Sequence, residues 1–259
     1  MKTFLLAAGL GTRLKPYTDT LPKCLIPIAG KPLLEIWFDH LRQFGVRDVL
    51  INTHHHAEQV TTFVQHYGFC HDNMRIAIHH EPVLLGSAGT LWYCRDFVDS
   101  QEDFMIIYAD NLTNMNLQRF RDFHKTCRKS GAVLTMGLFH APHPSACGIA
   151  EVDSNGRILD FEEKPEAPRS DLANAGIYMT SSEIFRYFPK MPSSPSGEVL
   201  DFGHHILPRL SGKMYGYPIS GYLRDIGTLE SYRLALSEWP VMVAATSEIS
   251  ADMAAVEGI

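Results

Sequence analysis

The chain lacks the features that would tie it to a special environment. Its five cysteines, Cys24, Cys70, Cys94, Cys127 and Cys147, are odd in number and never spaced C-x-x-C, so neither a disulfide framework nor a zinc site is suggested. Positive charge is scarce: 23 Lys and Arg stand against 29 Asp and Glu, for a net charge of −6. Affinity for nucleic acid or for an anionic membrane rests on clustered cations, so neither is expected as a partner. Any polyanion bound must be small and met by a local patch. No apolar run nears the about 20 residues of a membrane span. The hydrophobic start, Phe4 to Ala8, is too short for a signal peptide and runs straight into glycines. No repeat of about 20–50 residues is visible. Reduced thiols and a cytoplasmic location are the expectation.

What is present is an alternation of short apolar runs with amphipathic segments. Phe4 to Ala8, Val49 to Asn52, Met74 to His79, Phe104 to Ala109 and Ala132 to Phe139 are aliphatic or aromatic and too short for helices, so they read as buried strands. Between them, Pro32 to Phe44 spaces Leu33, Trp37, Leu41 and Phe44 by three and four, with a proline suited to a first turn and Gly45 suited to a stop. Ala57 to Tyr67, Ala88 to Val98 and Leu117 to Lys129 take the same place in later units. Repeated β-α alternation implies a mostly parallel sheet covered by helices on both faces. From Gly148 onward the strands shorten, and the turn "DSNGR" signals a hairpin. The second half is expected to add a small antiparallel lobe to the same body.

In an open parallel sheet a ligand sits beyond the carboxyl ends of the strands, where the first turn presents free backbone N–H groups. Gly9, Gly11, Thr12 and Arg13 fall there. Glycines let the backbone approach phosphate oxygens, Thr12 adds a donor, and Arg13 can form a bidentate pair, so the turn can cradle a triphosphate. The same residues also suit a tight turn with a solvent-facing arginine. A dinucleotide fingerprint would need a third glycine where Leu14 stands, and a P-loop would need Gly-Lys-Ser/Thr where "AGKP" has proline.

The run "LLAAGLGTRLKPYTDTLPKCLIPIAGKPLLE" resembles the signature of the sugar-nucleotidyltransferase family, whose members join a sugar 1-phosphate to a nucleoside triphosphate. The resemblance continues in order through "LLGSAGTL", Asp110, "EEKP", "NAGIY" and "RDIGTLESY" and covers residues 1 to about 235. It implies a Rossmann-like three-layer α/β/α domain with a mixed, mostly parallel central sheet, a catalytic domain over 1–239 and a tail over 240–259. It also implies roles by position. Arg13, Lys23, Asp110, Lys164 and Asp225 would be catalytic. The nucleotide would lie against Leu6, Ala8, Gly9, Gly11, Thr12, Arg13, Glu81, Gly86, Ser87 and Gly89. The sugar phosphate would meet Lys23, Asn111, Gly148, Glu163, Lys164 and Asn174. Mg2+ would be held by Asp110 and Asp225.

The residues themselves bear on these roles unequally. Asp110 ends the apolar run "FMIIYAD" and leaves the sheet at its carboxyl edge, where a hard cation can use a carboxylate with phosphates and water. For Asp225 metal binding is favoured, with capping of the helix expected near Thr228 to Glu238 as the rival. Cys24, Ala109, Ser87 and Leu229 depart from the common family pattern without removing a charged group, which leaves the substrate open. Short length leans to GTP with a mannose-type sugar. The alternatives are UTP or dTTP with a glucose- or muramic-type sugar, a phosphocholine cytidylyltransferase, and a non-catalytic regulatory homologue. An assembly of identical copies is also open. The His54-His55-His56 run reads as a loop near the site and not as a metal face, since adjacent side chains diverge at a strand end. The tail after Pro240, Ala-rich and without Lys or Arg, reads as a frayed terminus or a docked helix.

Overall fold

The structure, a computed structural model, describes residues 1–71, 73–98, 102–192, 195 and 199–256, with the side chains of 69 and 243–256 left aside. In chain order the elements are β1 (Lys2–Leu6), β2 (Pro27–Ile28), β3 (Lys31–Pro32), α1 (Leu33–Gln43), β4 (Asp48–Thr53), α2 (Ala57–Cys70), β5 (Arg75–His80), α3 (Gly86–Tyr93), β6 (Phe104–Tyr108) and β7 (Asn111–Thr113). The second half adds α4 (Leu117–Lys129), β8 (Leu134–His140), β9 (Gly148–Val152), β10 (Arg157–Glu163), β11 (Leu172–Thr180), α5 (Phe202–His205), β12 (Met214–Pro218), β13 (Leu223–Asp225) and α6 (Leu229–Val256).

Nine strands form one sheet in the order β5-β4-β1-β6-β11-β8-β12-β10-β9. The first four are all parallel, with α1, α2 and α3 as crossovers, while β11 runs antiparallel to both β6 and β8. This is a Rossmann-like half joined to a mixed half. Strand neighbours point to opposite faces, and the core divides accordingly. Leu5, Ile51, Ile107 and Ile177 face the side covered by Trp37 and Phe38 of α1, Val60 and Val64 of α2, and Phe120 of α4. Phe4, Leu50, Ile106 and Tyr178 face the side covered by Ala88 and Leu91 of α3 and Phe202 of α5. Each fully buried Leu, Ile or Phe contributes about 1.5–3 kcal/mol, so apolar residues at successive positions commit a strand to the middle of three layers.

β5 departs from the expectation of a buried strand. None of its six residues is buried; it is an edge strand, paired only with β4 among the described residues. The expected hairpin is present: β9 and β10 flank a turn in which Asp153 Oδ1 accepts from Asn155 N and Arg157 N at 2.8 and 2.9 Å. These antiparallel strands extend the nine-stranded sheet itself. α6 runs without interruption across Pro240 to Val256 and so crosses the 239/240 boundary. Among the described residues no helix is long and apolar enough to cross a membrane.

α3 starts earlier than its apolar pattern suggests and ends at Tyr93, followed by a 3₁₀ turn over Arg95–Phe97. The cause lies at Gly86, whose φ of +76° turns the chain against the backbone of Leu200. Ala88 N and Gly89 N then both donate to Leu200 O, at 2.9 and 3.3 Å. A side chain at Gly86 would suffer twice, from left-handed backbone strain of ~1–2 kcal/mol and from collision with the Leu200 carbonyl. Gly86→Ala should therefore lower unfolding free energy by at least ~2 kcal/mol. In urea this should appear as a reduced midpoint at unchanged slope, and an unaltered midpoint would contradict the packing described.

Candidate active site

The site begins where β1 stops pairing. Beyond Leu6 and the buried Ala8, the chain exposes Gly9 and Leu10, turns at Gly11 with φ +65°, and exposes Thr12 and Arg13. Gly11 O accepts from Leu14 N at 2.9 Å and from Thr18 Oγ1 at 2.8 Å, which closes the turn. A Cβ on Gly11 would lie 2.7 Å from Thr18 Cγ2 and 3.3 Å from Lys23 Cβ, so the turn packs directly onto the Lys23 segment. His55 Nε2 bonds Thr18 O at 3.0 Å and holds this loop from the side of β4.

Four charged side chains converge beside that turn. Lys23 Nζ lies 2.6 Å from Asp110 Oδ2 and 3.6 Å from Asp225 Oδ1, and Arg13 Nη2 comes within reach of the Asp225–Gly227 loop. Backbone pairing sets the arrangement. Ala109 N donates to Leu6 O at 2.9 Å, β13 pairs antiparallel with β7 so that Asp225 stands opposite Asn111, and Ile226 N donates to Asp110 O at 2.8 Å. Burial opposes the charge on Lys23, but the Asp110 and Asp225 carboxylates outweigh it and raise its pKa. Burial, followed by the Asp110 charge, raises the pKa of Asp225 against the opposing pull of Lys23 and Arg13.

A second cluster adjoins the first across the ends of β9, β10 and β11. The Glu163 carboxylate lies between Gly148 and Gly203: a Cβ on either would fall 2.5 and 2.6 Å from Glu163 Oε2. Lys164 holds a left-handed backbone at φ +51°, its N–H donating to Cys147 O at 3.0 Å, and its ammonium stands 4.0 Å from Glu163 Oε1. Ser87 Oγ donates to Asp201 Oδ2 at 3.1 Å and accepts from Phe202 N at 2.7 Å. Burial raises the pKa of Glu163, with the Asp201 carboxylate adding to it and Lys164 opposing. Burial also raises the Cys147 thiol, and the next cause is Asp225, which ties the two clusters together.

The structure thus brings together Gly9, Gly11, Thr12, Arg13, Lys23, Asp110 and Asp225, and beside them Ser87, Gly148, Glu163 and Lys164. Three of the expected residues bond within the protein. Glu81 is 1% exposed, and both its carboxylate oxygens accept from protein donors: Asn52 Nδ2 and Thr90 Oγ1 on one, Leu85 N on the other. Asn111 is buried, its amide donating to Ala175 O at 2.9 Å, so its side chain braces β11. Asn174 directs its amide to Tyr178 Oη and accepts from Gly176 N, at 2.7 and 2.9 Å, within its own strand. Gly86 and Gly89 serve the seam with Leu200. The helix-cap alternative for Asp225 falls away, because Thr228 Oγ1 accepts from Ser231 N at 3.1 Å and is itself the cap of α6, while the Ser231 hydroxyl donates to the Asp225 carbonyl.

Two residues that the sequence did not single out, Asp201 and Tyr108, adjoin the second cluster. Asp201 carries a detectable signal as the cap of a short helix, its Oδ1 accepting from His204 N at 2.9 Å. Tyr108 carries none, being one more aromatic residue at the end of an apolar strand. Burial and then the Asp201 carboxylate raise its phenol well above the usual range. The histidine run behaves as a loop: His54 Nδ1 bonds Glu81 O at 2.7 Å, and His56 turns at φ +50° ahead of α2. Among the described residues no three His, Cys, Asp or Glu converge to hold a metal by themselves.

Comparison with known proteins finds relatives of the chain. The family model for nucleotidyl transferases matches residues 2–239. A UTP–glucose-1-phosphate uridylyltransferase of Synechocystis sp. is 33% identical over 256 residues, covering 91% of this chain and 62% of its own length. The catalytic subunit beta of a mannose-1-phosphate guanylyltransferase of Danio rerio is 29% identical over 233 residues, covering 88% of this chain and 61% of its own length. The chain therefore spans a little over three fifths of these relatives. A Bacillus anthracis protein assigned as a glucose-1-phosphate thymidylyltransferase, solved with a sucrose, superposes with a TM-score of 0.80 at 27% identity, covering 92% of this chain and 94% of that one.

The raised pKa of Glu163 has a consequence for stability. A carboxyl whose folded pKa lies above its unfolded value stabilises the fold in acid and loses that contribution as pH rises through the folded pKa. At neutral pH the ionised Glu163 therefore costs stability. Glu163→Gln should raise Tm at neutral pH, and the difference from the parent should shrink as pH falls below the ordinary glutamate range. Parallel thermal melts across that range check this, and a pH-independent difference would contradict it.

Proposed function

The chain belongs to the nucleotidyl transferase family, and from that premise we propose that it transfers a nucleoside monophosphate from a nucleoside triphosphate to a sugar 1-phosphate. A phosphate oxygen of the sugar forms a bond to the α-phosphorus, the bond from that phosphorus to the bridging oxygen breaks, and pyrophosphate leaves. Little covalent work falls to the protein, so positioning and charge stabilisation carry the catalysis. The observation that supports this reading is the convergence of Arg13, Lys23, Asp110 and Asp225 on the glycine turn at the carboxyl ends of β1 and β6. Strand order reverses there, with β1 set between β4 and β6, and ligands of such sheets bind at that point.

In this reading the N–H groups of the Gly9–Arg13 turn and the Arg13 guanidinium hold the triphosphate. Lys23 turns from the carboxylates toward the reacting phosphates, Lys164 meets the sugar phosphate, and Glu163, whose carboxylate accepts from no donor among the described residues, accepts from sugar hydroxyls beside Gly148. Asp110 and Asp225 already gather an ammonium between them, a fit for a divalent cation that would complete its shell with phosphate oxygens and water. When bound there, Mg2+ would supply charge neutralisation at the transferring phosphate. The triphosphate-facing turn and the 81–90 segment together would hold the nucleotide. GTP with a mannose-type sugar is the first pairing to test, supported by the Danio rerio relative. UTP or dTTP with a glucose- or muramic-type sugar is the alternative, supported by the Synechocystis and Bacillus relatives. A non-catalytic homologue is disfavoured, since all five charged positions are kept. We place the transferase unit at 1–239 and treat 240–259 as a tail, with a cytoplasmic setting and no nucleic-acid or membrane partner.

Three measurements test the proposal. Asp110→Asn should lower turnover by roughly 100-fold or more at an unchanged circular dichroism spectrum, as expected for loss of charge stabilisation at a transferring phosphate. Near-parental, magnesium-dependent pyrophosphate release would refute it. Thermal shift against the four common triphosphates with Mg2+ should single out one base, because a ligand of the native state raises Tm by mass action. No shift with any triphosphate would remove the proposal altogether. Deleting residues 241–259 should leave pyrophosphate release intact, and loss of activity in a folded deletion variant would move the end of the unit beyond 239.

A further inference from the structure

Behind the glycine turn lies a buried polar chain that the reaction does not use. Ala7, the first residue past β1, donates its N–H to Asn52 Oδ1 at 2.7 Å. Asn52 Nδ2 donates to Glu81 Oε1 at 2.8 Å and to Thr90 Oγ1 at 3.0 Å, and Thr90 Oγ1 donates to Glu81 Oε1 at 2.5 Å. Glu81 Oε2 accepts from Leu85 N at 3.0 Å. Asn52, Glu81 and Thr90 are 4%, 1% and 0% exposed. A core position filled by a carboxylate, an amide and a hydroxyl is costly unless every group is paired, and here each named side-chain atom is. The Ala7 N–H fixes which end of the Asn52 amide is oxygen, so the chain has one direction.

The ends of this chain are the informative part. One is the first residue of the turn that runs to Arg13. The other is the loop from Glu81 to Gly86 and the first turn of α3. Both leave the same carboxyl edge of the sheet, since Leu6 is in register with Asn52 and Thr53 with His80. Among the described residues no backbone hydrogen bond joins the two segments directly; Asn52 sits between them. We propose that Asn52 is a positioning residue for the nucleotide, which, through Glu81 and Thr90, fixes the spacing between the phosphate-side turn and the 81–90 segment so that both can grip one nucleotide at once. This rests on the nucleotide-binding reading given above. It also accounts for Glu81: its carboxylate orders the loop from inside, and base selection falls to the groups that the ordered loop presents.

The test compares a ligand that spans both segments with one that touches the turn alone. Asn52→Ala should raise Kd for the preferred triphosphate about tenfold, roughly 1.4 kcal/mol, with kcat at saturation within a few-fold of the parent. Inorganic tripolyphosphate, which has no base, should keep its Kd within about twofold. An equal loss for both ligands would show that Asn52 merely props up the turn and would overturn the proposal, as would an unchanged triphosphate Kd. If Asn52→Ala fails to fold, Thr90→Val removes one link at nearly constant shape and should show the same selective loss, with Thr90→Ser restoring parental binding; failure of that selectivity also overturns it. Should the parent itself bind tripolyphosphate but no nucleoside triphosphate, the nucleotide reading falls and the positioning role falls with it, a result distinct from any variant effect.

Discussion

The antiparallel pairing of β7 with β13 is the constraint on which the site depends. It carries Asp225, more than a hundred residues later in the chain, to the position opposite Asn111 and so next to Asp110. Two carboxylates at close range repel, and at an effective dielectric near 20 such a contact costs several kcal/mol unless opposed. Lys23 opposes it from the centre, and Arg13 from the side of the turn. The local charge then sums to zero. The second cluster, Glu163 and Asp201 with Lys164, adds no positive charge. A site with balanced charge has no surplus to meet a triphosphate and a sugar phosphate together. In the proposed function this charge count favours a cation that enters with the substrates and is received by the two carboxylates, with the ammonium and guanidinium turned to phosphate.

Much of the frame could be read from the chain because it rests on local periodicity. β1, β4, β6 and β8 are apolar on both faces, and α1 and α4 carry their buried residues at spacings of three and four. β5 carries a similar run of Ile and Ala yet lies at the sheet's rim, where no second neighbour strand covers it. Nothing within those six residues records that position, because edge or centre is decided by the order of strands. The long antiparallel return through β11 between β6 and β8 is likewise a property of the whole chain.

The site divides along the same line. Asp110 ends an apolar strand, which by itself suggests its position, whereas Arg13, Lys23 and Lys164 suit a solvated loop equally well and were singled out by the motifs around them. Asn111, Asn174 and Glu81 lie in equally good motifs, yet their side chains point inward to backbone and side-chain partners. A polar residue near a site can serve the ligand or the loop that serves the ligand, and the two produce the same sequence signal. Asp201 shows the converse. It reaches Ser87 across 114 positions of chain, a contact that no spacing rule could supply.

Burial of polar groups therefore takes two forms in this fold. Asn52, Glu81 and Thr90 are buried and mutually paired, a closed set in which each donor meets an acceptor. Glu163 is mostly buried with an ammonium only at 4.0 Å and a second carboxylate, Asp201, close enough to raise its pKa further. The first form stabilises a single geometry; the second leaves a partly solvated carboxylate whose acceptor positions stay open to water or to a hydroxyl. Desolvation of a lone carboxylate opposes folding, whereas a hydroxyl that fills its empty acceptor positions gains a charge-assisted bond. The closed set sets where the loops stand, and the open carboxylate sets what they are standing around.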